Sequence, residues 1–355
     1  MFRVHHLGVA LVATLLLTLL TFPAAACDNP RQMNGFKTCA DVEAAMKEGA
    51  LVHYAPDPET AQTAYLAEFR KMFPDIKTTY LRLQTGALYA RLNAERQGRS
   101  YVPDTLILTE YAFALDFQKR GGWALYKSPE LAAYQPHQKS TPEGHYTWDN
   151  EIIAGIAYNP NLVTAAEAPK SWKDLLDPKW AGAINTKLST SGLMHEAWYT
   201  LRTMYGPEYW TKFAELKPRG FDSYVQQFDR TIAGQDKIVA VAQYSGYLIS
   251  KAKGAPIEFV APTEGMAVIP GLIGVVDQAP HPNVARLFVD WYLGVPGQTA
   301  MTNSVKNYSP RADVPPPPGG QPRNTFKVMI PDDWDKFIKS HAQFVREWDK
   351  MTGLR

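Results

Sequence analysis

The sequence predicts a two-lobed α/β protein, each lobe a mixed sheet flanked by helices, with a cleft between the lobes at a hinge. Three observations carry this. Short apolar strands alternate with capped helices in units of about 25–35 residues, the pattern of a sheet with crossover helices. Setting the apolar N-terminal stretch aside leaves about 330 residues, too many for one ordinary core. Two long apolar strands, Trp148–Tyr158 and Gly265–Val276, bracket a block of about 110 residues with helices and strands of its own. That is the signature of one lobe inserted into another through paired crossing strands, a connection that acts as a hinge.

The elements follow in order. Ala50–Ala55 reads as a buried strand. Asp57, Pro58 and Glu59 make an N-cap, an N1 proline and a first-turn acid. Leu66, Phe69, Met72 and Phe73 then recur at helical spacing until Pro74 stops the helix. Ile76–Leu83 alternates like a strand, and Thr85-Gly86 opens a helix through Leu88, Leu92 and Ala94. Thr105–Leu108 is again a strand. Near the end, Pro315–Pro318 with Gly319-Gly320 forms a stiff and then flexible connector. Trp334, Phe337, Ile338, His341, Val345 and Trp348 fall on one face of a final helix.

The first 26 residues read as a secretory signal peptide: Arg3, an apolar run over Leu7–Phe22, and Ala24-Ala25-Ala26 before Cys27. Export leaves Cys27 and Cys39 as the two cysteines, most simply one disulfide closing a short loop. Lipidation of Cys27 is the competing reading, opposed by the small Ala24 at −3. The expected organisation is 1–26 signal peptide, 27–152 first lobe, 153–272 inserted lobe, and 273–355 returning to the first lobe with the C-terminal helix.

The chain carries 37 Lys and Arg against 35 Asp and Glu, and Arg3 lies in the leader, so the mature net charge is close to zero. No basic tract interleaves with aromatics, which argues against nucleic acid and anionic membranes as partners. Eighteen tyrosines and nine tryptophans suit an aromatic-lined cleft as well as a large core. An exported hydrolase is the alternative of another class. The sequence has no Gly-x-Ser-x-Gly elbow and no His-Glu-x-x-His, since His195-Glu196-Ala-Trp-Tyr199 lacks the second histidine. Ser250-Lys-Ala-Lys253 matches Ser-x-x-Lys without its companion motifs.

Three segments resemble bacterial periplasmic solute-binding proteins of the iron(III)-binding type, the family 1 extracellular solute-binding proteins of ABC importers. They are Pro169-Lys-Ser-Trp-Lys-Asp-Leu-Leu-Asp-Pro-Lys-Trp-Ala-Gly182, His281–Leu293 with Pro296-Gly297-Gln298, and Gly49–Ala94. The resemblance implies a type II periplasmic-binding-protein fold and a monomer working in the periplasm. It implies capture of a ligand by hinge closure for an inner-membrane permease, with no catalysis. The transported ligand is then ferric iron, with or without a helper anion, or a small organic anion (carboxylate, phosphonate or sugar phosphate) with no metal. By themselves the first two segments read as fold determinants: Ser171 and Asp174 cap a short helix, and Val284, Leu287, Phe288 and Trp291 form a helix face.

Candidate ligand contacts lie at strand ends and helix starts. Glu110 follows the strand Thr105–Leu108 and falls where ferric-binding relatives have a metal-ligating glutamate; a first-turn acid facing a helix dipole is the ordinary alternative. Gln243, Tyr244 and Tyr247 follow the strand Ile238–Ala242. The resemblance gives Tyr244 a metal-binding role beside Glu110, but Ser245 stands where those relatives have a second tyrosine. Thr190, Ser191 and Gly192 open a helix and offer backbone N–H groups to an anion, or simply a cap. Thr85 is a similar turn in the first lobe. Trp148, with Asp149 and Asn150, sits at the crossing, where it contacts an organic ligand or belongs to the core. The loop Tyr54–Glu59 lacks the histidine that ferric-binding relatives often place there, and Asp57 reads as a cap or a substitute oxygen donor.

Overall fold

The computed structural model describes Cys27 and residues 29–354; the signal-peptide reading of residues 1–26 falls outside them. A two-stranded ribbon, β1 (Arg31–Gln32) and β2 (Lys37–Thr38), precedes α1 (Val42–Glu48). Cys27 and Cys39 are joined by a disulfide, with their Cα atoms 5.9 Å apart. The first lobe continues as β3 (Ala50–Ala55), α2 (Glu59–Met72), β4 (Lys77–Arg82), α3 (Thr85–Gln97), β5 (Thr105–Leu108) and α4 (Tyr111–Lys119). Strand β6 (Thr147–Tyr158) then leads into the second lobe. That lobe holds β7 (Ile184–Lys187), α5 (Gly192–Tyr205), α6 (Glu208–Glu215) and β8 (Arg219–Phe221). It continues with α7 (Tyr224–Ile232), β9 (Ile238–Gln243), α8 (Tyr244–Ala252) and β10 (Glu258–Val260). Strand β11 (Met266–Val275) returns to α9 (Pro282–Leu293) and α10 (Val295–Ser304), followed by β12 (Val328–Met329) and α11 (Trp334–Thr352).

Ten strands form one hydrogen-bonded sheet in the order β4-β3-β5-β11-β6-β9-β7-β8, with β10 added to β6 and β12 to β11. Strand β3 lies parallel to both β4 and β5 in the first lobe, and β7 parallel to both β8 and β9 in the second. The inner strands β5 and β7 are buried along their whole length, as parallel strands under helices require, whereas the edge strands β4 and β8 are exposed or half-buried. The antiparallel pair β6–β11 joins the halves, in register from Ala154↔Ala267 to Thr147↔Ile273. Trp148 of β6 and Leu272 of β11 belong to the first lobe's core, whereas Ile156 of β6 and Ala267 of β11 belong to the second's. Both strands therefore change lobe within a few residues of each other, and there the ladder slips by one residue, between Gly271 and Leu272.

Helix α11 departs from expectation. It is capped at its start by Asp333, whose side chain accepts from the Lys336 N–H, and ends at Gly353 in the left-handed region (φ 67°). Its apolar face enters the second lobe, not the first: Phe344 and Trp348 are fully buried with Trp198, Trp210 and Phe213. Only its first turns reach the first lobe, with Trp334 5.1 Å from Tyr111 and 6.2 Å from Trp148 between ring centroids. An apolar stripe identifies a packed helix but not the surface that receives it. The segments read as fold determinants act as such. Ser171 and Asp174 cap each other's backbone, and Trp172 donates from its indole to the Gly265 carbonyl at 2.7 Å.

Among the described residues, no helix is long and apolar enough to cross a membrane. Truncating Trp348 to Ala removes a fully buried indole from the second core and is expected to cost about 3–5 kcal/mol. Urea unfolding followed by tryptophan fluorescence checks this. A loss within 1 kcal/mol, roughly the scale of a surface change, overturns the assignment of α11 to that core.

Candidate functional site: the interlobe cleft

Parallel strands end at the same edge of each lobe, and the turns beyond them face one another across a cleft. The first lobe contributes Asp57 after β3, Arg82 at the end of β4, Gln84 and Thr85 at the start of α3, and Thr109 after β5. The second lobe contributes Lys187 at the end of β7, Thr190, Ser191 and Gly192 at the start of α5, Asp222 and Tyr224 after β8, and Gln243 at the end of β9. Ile152 and Ile269 of the crossing strands, with Val305 and Asn307, complete the lining. Five helices of eight or more residues, α2, α3, α5, α7 and α8, begin at residues that line this space.

The lobes touch. A Cβ on Gly192 would come within 2.7 Å of the Thr109 carbonyl oxygen and 2.8 Å of Glu110 Oε2, so only glycine allows this approach. Thr85 Oγ1 and Thr109 Oγ1 share a hydrogen bond of 2.7 Å. Ser191 caps α5 by accepting from the Met194 N–H. The side chain of Gln243 makes no capping bond to α8, and that of Gln84 makes none to α3, which leaves two amides for the cleft.

The cleft lining carries charge from both lobes: Asp57 and Arg82 from the first, Lys187 and Asp222 from the second. Lys187 is buried; its ammonium donates to the Asp222 carbonyl at 3.2 Å and lies 5.8 Å from the Tyr224 ring centroid. Burial depresses its pKa to about 8, against the opposing pull of Asp222, and nearby Arg82 lowers it further. Thr190 donates to the Asp222 carboxylate at 2.5 Å. Asp57, expected as a helix cap, caps nothing: α2 has Pro58 at its N-cap and no side-chain capping bond. Its carboxyl is buried in the cleft wall, Oδ2 makes no hydrogen bond, and burial raises its pKa to about 7 against the opposing pulls of Arg82 and the Tyr65 hydroxyl.

Of the residues singled out in the sequence, Thr85, Thr190, Ser191, Gly192 and Gln243 line this cleft. Glu110, Trp148, Tyr244 and Tyr247 do not. Glu110 stands at the N-cap of α4 without capping it, behind Gly192, with one oxygen 3.6 Å from His195 Nδ1, too long for a hydrogen bond. Trp148 points into the first core, edge-on to His137 and Trp334. Tyr244 begins α8 just after the cleft-lining Gln243, and the tight start of that helix turns it into a separate aromatic cluster. There it packs on Phe259 (4.8 Å), Phe326 (5.3 Å) and Tyr247 (5.6 Å). Glu110 and Tyr244 are thus not brought to one point. Burial also raises the Tyr244 phenol's pKa, the opposite of what phenolate ligation needs. Among the described residues, no three His, Cys, Asp or Glu side chains converge as a metal site.

Sequence reading passed over Arg82, Lys187, Asp222, Tyr224 and Asn307. Arg82 and Lys187 each close a strand that faces the same edge as Thr85 and Ser191, and that shared position was the available signal.

The sequence profile of the bacterial extracellular solute-binding proteins matches residues 100–338. An uncharacterised protein of Haemophilus influenzae is 27% identical over 307 residues, 79% of this chain and 84% of its own. A probable ABC transporter periplasmic-binding protein of Sinorhizobium fredii is 27% identical over 233 residues, 58% of this chain and 60% of its own. Among solved structures, the periplasmic binding protein AfuA of Actinobacillus pleuropneumoniae, with fructose-6-phosphate bound, superposes with a TM-score of 0.76 at 21% identity, covering 86% of this chain and 99% of AfuA. Iron-bound HitA of Pseudomonas aeruginosa gives 0.72 at 20% identity, covering 85% of this chain and 99% of HitA. The fold is that of two-lobed type II periplasmic binding proteins, and the chain belongs to the bacterial extracellular solute-binding proteins.

Proposed function

We propose that this protein captures a small organic anion in the periplasm, without a metal, and delivers it to the membrane permease of an ABC importer. One observation carries the reading. Arg82 from one lobe and Lys187 from the other enter a single cleft with five helix N-termini and the hydroxyls of Thr85, Thr190 and Ser191. A phosphate, phosphonate or carboxylate placed there meets donors from both walls. Binding energy then favours the closed arrangement of the lobes, which a permease can distinguish from the open one.

Ferric iron is the second reading, favoured by the iron-bound relative HitA. The cleft does offer hard oxygen donors in Asp57, Asp222 and Tyr224. Against it, a trivalent cation would sit beside two cationic side chains, and Tyr244 with Glu110 stands outside the lining. Purified protein mixed with ferric citrate is expected to show no visible tyrosinate-to-iron band. A band that is lost in Tyr224→Phe or Tyr244→Phe reverses the order of the two readings.

For the organic-anion reading, Lys187→Met is expected to weaken binding of a phosphate- or carboxylate-bearing ligand roughly ten- to hundredfold by titration calorimetry. Tyr244→Phe is expected to change it less than about threefold. Equal effects of the two substitutions refute this placement. Binding should also take up a proton. Free Lys187 loses its proton near pH 8, and an adjacent anion raises that pKa, so the complex holds more protons than the free protein above pH 8. Affinity therefore falls as pH rises through 8, and calorimetry at pH 8.5 in buffers of different ionisation enthalpy measures the uptake.

A further inference from the structure

Asp57 has the buried Tyr65 hydroxyl near its carboxyl, but Oδ2 makes no hydrogen bond with it. It caps no helix, and its loop is held by other means: Gln62, fully buried, donates from its amide to the Asp57 carbonyl at 2.8 Å and the Ala55 carbonyl at 3.3 Å. The side chain is 6% exposed, lies in the cleft wall, and keeps Oδ2 without a partner. A buried acceptor left unmade is costly, and such a group in a binding wall points to a donor that arrives with the ligand. Its position beside the anion-binding groups is fixed by register: β3 and β4 pair Ala55 with Arg82, so Asp57 lies two residues beyond the strand position facing Arg82. The cleft thus sets an acceptor next to a cation.

We propose that Asp57 accepts a hydrogen bond from a ligand hydroxyl close to the anionic group, which makes the cargo a hydroxylated acid or phosphate ester rather than a bare anion. The inference rests on the organic-anion reading of the cleft. A bare or hydroxyl-less anion would leave the carboxyl unpaired and set it against like charge, so Asp57 also acts by rejecting the wrong ligand.

The test uses matched pairs that differ only in hydroxyls: glycerol 3-phosphate against n-propyl phosphate, and glycerate against propionate. Titration calorimetry on the wild-type protein is expected to show a preference of about tenfold or more for the hydroxylated member of at least one pair. Asp57→Ala is expected to bring that ratio near one, chiefly by weakening the hydroxylated ligand, and Asp57→Asn to reduce it in part. Removing an unpaired buried carboxylate should leave the melting temperature at pH 7.5 equal or higher, which separates lost recognition from lost folding. Anion binding without a hydroxyl preference, or a preference that survives Asp57→Ala, overturns the role of Asp57 while the anion reading stands. If no member of either pair binds, and phosphate and acetate also fail, the anion reading falls and this inference with it.

Discussion

The antiparallel pairing of β6 with β11 is the constraint on which the rest depends. Each strand is buried along almost its whole length because it serves two cores in succession, facing first-lobe side chains at one end and second-lobe side chains at the other. The ladder keeps the two strands together where they change lobe. That brings the strand ends of both half-sheets to one cleft without any further linkage. The single-residue slip at Gly271/Leu272 lies at this change and marks the place where the sheet tolerates bending.

The cleft that results is electrostatically unfinished. Lys187 and Asp57 are both taken out of water, and each is pushed toward its neutral form by that desolvation. Neither is neutralised by a close partner of opposite charge; Lys187 has a backbone carbonyl and Asp57 has Arg82 at a distance. A core would not keep such groups, since replacing them with apolar residues of similar shape is often neutral or stabilising. Their presence together in one cleft sets that space apart from ordinary packing. The aromatic groups that first drew notice, Trp148, Tyr244 and Tyr247, make the opposite case: each completes a hydrophobic cluster.

The two-lobed α/β architecture was legible because strand and helix periods differ and because the crossing strands are long and bracket a block with helices and strands of its own. The turn residues Thr85, Thr190–Gly192 and Gln243 were legible for the same reason, since strand ends and helix starts can be read from spacing. What could not be read was direction. Gln243 and Tyr244 are adjacent, yet the first faces the cleft and the second an aromatic cluster. Asp57 stands in the sequence of a helix cap, but the helix begins one residue later than that reading needs and leaves the carboxyl free. Arg82 and Lys187 carry no motif; only the register that aligns strand ends makes them partners. Helix α11 showed its apolar stripe plainly and concealed its destination.

That destination bears on the order in which the chain folds. The second lobe is encoded in the middle of the sequence, but its core is closed by Phe344 and Trp348. A lobe synthesised early thus stays incomplete until residues from the far end have reached it. The same helix, by ending the wait, ties the onset of compact structure in the second lobe to the arrival of nearly the whole polypeptide.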